Sequence, residues 1–176
     1  MKKFFIFIFL LSFSSQSYAY DCSFDKIKPG VTSKSLEEIN IFTYGANSSL
    51  EILDYNTTSE RICRGDPKDV RGLIIVLTFA GDKLIKVNYI NTIPNRPILF
   101  DIANNHYKTN FKRNNEQVKK KQTELYNTTV NNNSYFYVLL KNKDQQQEYL
   151  EISSDKDIEK LEKFLLKIEE AKWLEK

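Results

Sequence analysis

Leu73 to Phe79 reads Leu-Ile-Ile-Val-Leu-Thr-Phe, a β-branched apolar run that is apolar on both of its faces. Such a run predicts a strand near the centre of a sheet. Gly81-Asp82 follows as a turn pair, and Leu84 to Ile90 then alternates. Ile85, Val87 and Tyr89 fall on one face of that second strand, Lys86 and Asn88 on the other. Together these segments predict a β-hairpin. A chain with this hairpin in its middle has to build a sheet and find something to cover it.

The flanking segments supply both. Upstream, Phe24 to Gly30 is a short lead-in ended by Pro29-Gly30, and Thr32 or Ser33 caps a predicted helix over Ser35 to Phe42. Ser48 to Asn56 alternates loosely and predicts a strand, and the polar stretch Thr57 to Arg71 predicts a loop. Downstream, Pro97 opens a helix whose apolar stripe is Ile98, Leu99, Ile102, Ala103, His106 and Tyr107, running to about Phe111. Glu124 to Asn127 leads to an Asn131-Asn132-Asn133 turn. Ser134 to Leu140 and Glu148 to Ser153 then make a second hairpin. Ser154 with Asp157 resembles a capping box for a last helix to about Leu174, striped by Ile158, Leu161, Phe164, Leu165, Ile168 and Ala171.

The predicted order is helix, three strands, helix, three strands, helix. Tyr55-Asn56-Thr57-Thr58 recurs as Tyr126-Asn127-Thr128-Thr129, each time at the end of a first strand. The fold class that follows is α+β: an antiparallel sheet with helices packed on one face, compatible with a tandem α-β-β-β repeat plus a C-terminal helix. The halves would be residues 20–95 and 96–176 of one domain.

Residues 1–19 read as an export signal. Lys2 and Lys3 are basic, Phe4 to Phe13 is apolar, and Ser17-Tyr18-Ala19 has the small-x-small cleavage pattern. The apolar run falls short of the ~20 residues a permanent span needs, so no stable membrane anchor is expected. The lysine-led leader favours a bacterial periplasm. Acceptor sequences at Asn47, Asn56, Asn127 and Asn132 leave a eukaryotic secretory route open. Cleavage removes two of the 26 basic residues and none of the 23 acidic ones, leaving a charge near +1. A nucleic-acid partner therefore gains no support. In an oxidising compartment the two cysteines, Cys22 and Cys63, are expected to be joined.

Ile27-Lys28-Pro29-Gly30-Val31-Thr32 and the spacing on to Leu36, followed by a short helix and strands, resemble the repeat unit of β-lactamase-inhibitor proteins and of small outer-membrane assembly lipoproteins. The resemblance implies an α+β module that binds or scaffolds another protein, and it assigns no functional residue.

Conventional chemistry is thin. His106 is the single histidine, and it lies on an apolar helical stripe, where a packed ring is the expected role. Gly45 to Leu50 lacks the second glycine of a nucleophile elbow. One histidine and no calcium-type loop predict no metal, and no phosphate-binding glycine loop predicts no cofactor. Glu37, Glu51, Asp54 and Glu60 are the acids a hydrolase with scattered carboxylates would draw on.

Two features fit binding instead. Lys108, Lys112, Arg113, Lys119, Lys120 and Lys121 form a basic stretch, whereas the region from Asp144 onward carries ten acids against six bases. Tyr135 and Tyr137 share one strand face while Phe136 and Val138 share the other. The phenols serve either as docking residues on an open face or as core under the last helix. The resulting expectation is an exported, non-enzymatic protein-binding module of inhibitor or immunity type, with a secreted toxin or envelope enzyme as partner. An envelope assembly factor is the alternative, and a scattered-carboxylate hydrolase the third reading.

Overall fold

A computed structural model describes residues 21–41, 52–64, 69–93, 96–113, 123–141, 146–159 and 162. The expected leader at 1–19, and Glu51, Lys119, Lys120, Lys121 and most of the expected last helix, lie outside these. The elements in order are β1 (Asp21–Cys22), a 3-10 turn (Ser23–Lys26), α1 (Ser33–Glu37), β2 (Ile52–Thr58), α2 (Ser59–Ile62), β3 (Cys63–Arg64), β4 (Ile74–Ala80), β5 (Lys83–Asn91), α3 (Leu99–Tyr107), β6 (Glu124–Val130), β7 (Asn133–Lys141) and β8 (Gln146–Ser154). A helical turn begins again at residues 155–159. The fold is α+β, as the sequence predicts.

Six strands form one antiparallel sheet in the order β2-β4-β5-β8-β7-β6. The strands of each half stay together, and the halves meet along the β5–β8 seam. The pairing is palindromic. From one edge a row runs Tyr55, Leu77, Val87, Ile152, Tyr135, Thr128. From the other edge the neighbouring row runs Tyr126, Tyr137, Leu150, Tyr89, Ile75, Thr57. Each begins on the tyrosine of one Tyr-Asn-Thr-Thr copy and ends on the first threonine of the other. The recurring tetrapeptide thus occupies equivalent register positions on the two edge strands.

Local chemistry explains most boundaries. Thr32 caps α1, its Oγ1 accepting from the Ser35 N–H at 3.3 Å. The α1 helix is shorter than predicted and stops at Glu37. Gly81, with φ +63°, makes the β4–β5 turn, and Asn131 and Asn132, with φ 51° and 63°, make the β6–β7 turn. Two successive left-handed residues match the twist of an antiparallel pair, which is why an Asn-Asn pair serves there. The stretch predicted as a loop from Thr57 holds instead the end of β2, α2 and β3. Ser59 orders it, its N–H donating to the Leu73 carbonyl at 3.1 Å and its hydroxyl to the Val70 carbonyl at 2.5 Å. Cys22 and Cys63 are disulfide-bonded and face each other in the β1–β3 pair.

The β4 strand departs from expectation. It is one strand in from the edge, and β5 and β8 are central. Ile75, Leu77 and Phe79 are fully buried, yet Ile74 is 40% exposed. Its outward apolar residues do not meet a second layer among the described residues.

The covered face carries the core. There α1, the 3-10 turn and α3 bury Leu36, Phe24, Leu99, Ile102, Ala103 and Tyr107 against the strands. Under the first half this core is mainly aliphatic. Under α3 it is aromatic: Phe100, Phe111, Tyr126 and Tyr137 stack with centroids 5.4 to 6.3 Å apart. Tyr135 also packs on Tyr107 at 5.7 Å.

Candidate functional site

The opposite face of the sheet is the feature that stands out. Ile52, Ile74, Leu125, Phe136 and Leu140 are the large hydrophobic side chains more than a third exposed among the described residues. Strand alternation puts all five on this one face, since their neighbours Leu53, Ile75, Tyr126, Tyr137 and Leu139 belong to or pack on the core. Isolated exposed hydrophobics are ordinary, but a contiguous patch marks a surface that binds.

Register sorts the face into bands. One row reads Thr58, Ile74, Ile90, Tyr149, Val138, Leu125, apolar across five of six strands. The next reads Asn56, Val76, Asn88, Glu151, Phe136, Asn127. Between them lies a shallow groove of about 290 Å³, walled by Val76, Ile90, Phe136, Val138 and Tyr149 with Asn88 and Glu151 at its middle. A third row, Asp54, Thr78, Lys86, Ser153, Ser134, Thr129, is polar. There the Thr78 hydroxyl donates to Asp54 at 2.6 Å. The face therefore offers apolar contact, one central carboxylate and a polar margin.

What holds this face rigid lies beneath it. Glu148 is buried and accepts four hydrogen bonds: from the Tyr137 hydroxyl at 2.8 Å, the Asn91 amide at 2.9 Å, and the N–H groups of Ile98 at 2.6 Å and Phe100 at 3.1 Å. The last two are unsatisfied donors at the start of α3, so a carboxylate from the sheet caps the helix. Burial, reinforced by the Glu148 carboxylate, pushes the Tyr137 phenol far above its ordinary pKa. At the other end of α3 the Tyr107 hydroxyl lies 2.6 Å from that of Tyr89, 2.7 Å from the Phe24 carbonyl and 2.9 Å from that of Ile27. With two carbonyls competing for the single Tyr107 proton, Tyr89 acts as donor to Tyr107. Glu124, fully buried at the β6 edge, pairs with Lys141 at 2.5 Å.

The structure redistributes the residues singled out from the sequence. Tyr135 and Tyr137 are not docking residues: both lie in the core, 4% and 0% exposed, because α3 covers their side of β7. Phe136 and Val138 take the open side. Of the basic stretch, Lys108 closes α3 in a left-handed conformation and its ammonium donates to the Asn105 carbonyl at 2.5 Å. Lys112 is exposed, and the Arg113 guanidinium sits 4.6 Å over the Phe100 ring, a cation–π contact that closes the aromatic core. These positions form no common patch with the open face.

His106 is half-buried and edge-on to Phe24 at 5.1 Å, and burial lowers its pKa below the usual value, with Lys108 adding and Asp25 opposing. Glu37, Asp54 and Glu60 lie on α1, β2 and α2, and each of the last two accepts structural hydrogen bonds, Asp54 from Thr78 and Glu60 from the Gly72 N–H at 2.9 Å. Hydrogen bonding, chiefly from Thr58, lowers the Glu60 pKa. Among the described residues no group of three His, Cys, Asp or Glu could hold a metal ion. No helix among them is long and apolar enough to cross a membrane.

Ile74, Leu125 and Glu151 escaped the sequence reading. Their signal was the outward half of each strand's alternation, which only register assembles into a patch. No protein-family model, curated protein or solved structure matches the chain.

Proposed function

We propose that this chain is an exported binding module that acts through surface complementarity, as an inhibitor or immunity-type protein working in a bacterial periplasm. One observation carries the reading: the exposed large hydrophobics of the described residues lie on a single sheet face, which also holds a groove that Phe136 helps to line. The Cys22–Cys63 disulfide fits an oxidising compartment. The resemblance of Ile27 to Leu36 to exported inhibitor and assembly modules points the same way. The partner is a protein with an apolar ridge to fill the groove and a cationic or amide donor to meet Glu151.

The test is recovery from envelope extract by immobilised protein, with variants in parallel. Wild type recovers one stoichiometric protein, Phe136→Asp and Leu125→Asp lose it, and Lys112→Ala keeps it. Recovery of the same protein by Phe136→Asp, or of none by correctly folded wild type, defeats the reading. An envelope assembly factor would differ in one respect: its deletion would weaken the outer membrane with no toxin present.

A further inference from the structure

The palindromic sheet has two edges in equivalent positions, β2 and β6, and they are not alike. The β2 edge carries a charge near its middle, where Asp54 is exposed. Charges so placed keep a sheet edge from pairing with another chain. From Leu125 to Val130, β6 reads Leu-Tyr-Asn-Thr-Thr-Val, without a charge, a proline or a glycine. Leu125 is 56% exposed, more than any other large hydrophobic side chain among the described residues. Glu124, the one acid of the strand, is buried and already paired with Lys141.

The β6–β7 turn fixes which backbone groups of β6 face outward. Asn131-Asn132 is a two-residue turn, so the Val130 carbonyl and the Asn133 N–H close it as a hydrogen-bonded pair. Such pairs alternate along an antiparallel ladder, and Thr128, Tyr126 and Glu124 therefore also turn their backbone groups toward β7. Leu125, Asn127 and Thr129 aim theirs away from the sheet. These outward N–H and C=O groups have no hydrogen-bond partner among the described residues. The side chains of the same three residues are exposed on the open face.

We propose that a second copy of this chain pairs along this edge, β6 against β6, antiparallel about a two-fold axis through Asn127. The edge is complementary to itself in that register. Asn127 of one copy faces Asn127 of the other, and Leu125 of each faces Thr129 of the other. Each of these pairs exchanges both of its backbone hydrogen bonds. The facing Asn127 amides each offer a donor and an acceptor, and no like charges meet along the seam. On the covered side Tyr126 of each copy lies beside Thr128 of the other. A β6–β6 contact closes on itself, whereas β2 against β6 would repeat without end. Directly opposed residues share a face, so the two open faces and their grooves lie side by side on one surface. The pairing does not depend on the docking function proposed above.

Analytical ultracentrifugation of the full chain, with its disulfide intact, tests the pairing. Wild type should sediment as a monomer–dimer equilibrium. Asn127→Pro removes one outward N–H and leaves the ladder to β7 intact, and Asn127→Asp sets two like charges face to face at the axis. Each should weaken dimerisation at least tenfold, while Asn56→Asp on the other edge should leave it unchanged. Asn127→Cys under mild oxidation should give a covalent dimer, because hydrogen-bonded partners have Cα atoms about 5.5 Å apart, within reach of a disulfide. Circular dichroism verifies the fold of each variant. Should Asn127→Pro misfold, the exposed replacements Asn127→Asp and Asn127→Cys carry the test. Wild type that stays monomeric at every concentration reached overturns the proposal. So do dimers that survive Asn127→Asp, which would mean another surface, and assemblies that grow past the dimer and are blocked by Asn56→Asp, which would mean β2 against β6. Recovery of an envelope protein bears on the docking function alone.

Discussion

At the scale of single residues, Glu148 bears the most weight. Its carboxylate serves β5, β7 and α3 together, and no cation shares its site among the contacts described. Replacing it with Leu takes the Glu148 acceptor from four donors, three of them buried. At 1 to 3 kcal/mol for a single orphan, the loss should be at least about 3 kcal/mol in urea denaturation. Glu148→Gln keeps the shape and should cost less than Glu148→Leu. Two titrations act in opposite pH ranges. Burial depresses the His106 pKa, so the unfolded chain binds that proton more tightly. Its contribution is present above about pH 6.5 and is lost as pH falls from there toward the folded-state pKa. His106→Leu should flatten the stability profile in that window. Tyr89, Tyr107 and Tyr137 have raised pKa values, chiefly through burial, so unfolding lets them ionise earlier. Stability should fall as pH rises above about 10, with phenolate absorbance from these rings appearing only on unfolding.

At the scale of elements, the disulfide and the Tyr107 clamp join the N-terminal segment to the body. The bond spans 41 positions. The chain-entropy account assigns a loop of that size roughly 4 kcal/mol, so reduction should lower the denaturation midpoint accordingly. Tyr107→Phe removes the donor to the Phe24 and Ile27 carbonyls, and should cost about 2 kcal/mol by the same assay. The hairpins were legible in advance because turn and strands adjoin in sequence. The β4–β5 pair and the β7–β8 pair sit where alternation predicts them, β4 shifted by one residue and the other three strands extended by a residue or two at their ends. The helical turn of α2 was not legible, since four residues are too few to form a helix by themselves and tertiary contacts through Ser59 hold them.

Across the whole molecule, the seam between β5 and β8 makes the two halves depend on each other. Each half alone would expose its seam strand and half of the core. Fragments 20–95 and 96–176, made separately, should be unfolded by circular dichroism and should regain sheet signal when mixed. Independent folding of either would show that the seam is not needed. The open face belongs to this scale as well, because its apolar row draws on residues from Ile74 to Tyr149.

Alternation, turn residues and caps are local, and so the strands of the two hairpins, a cap at Thr32 or Ser33 and the covalent pairing of Cys22 with Cys63 could be read from the chain alone. Period two divides a strand into two faces without saying which is covered. On β7 the choice lay between Tyr135 with Tyr137 and Phe136 with Val138, aromatic and apolar on both sides. Hydrophobicity had no means of deciding. The decision belongs to α3, held over the tyrosines by Glu148 from 48 and 50 positions away and by Phe24 and Ile27 from 83 and 80. Contacts between such distant residues leave no pattern in a linear window, and they determine which side of the sheet is left to bind.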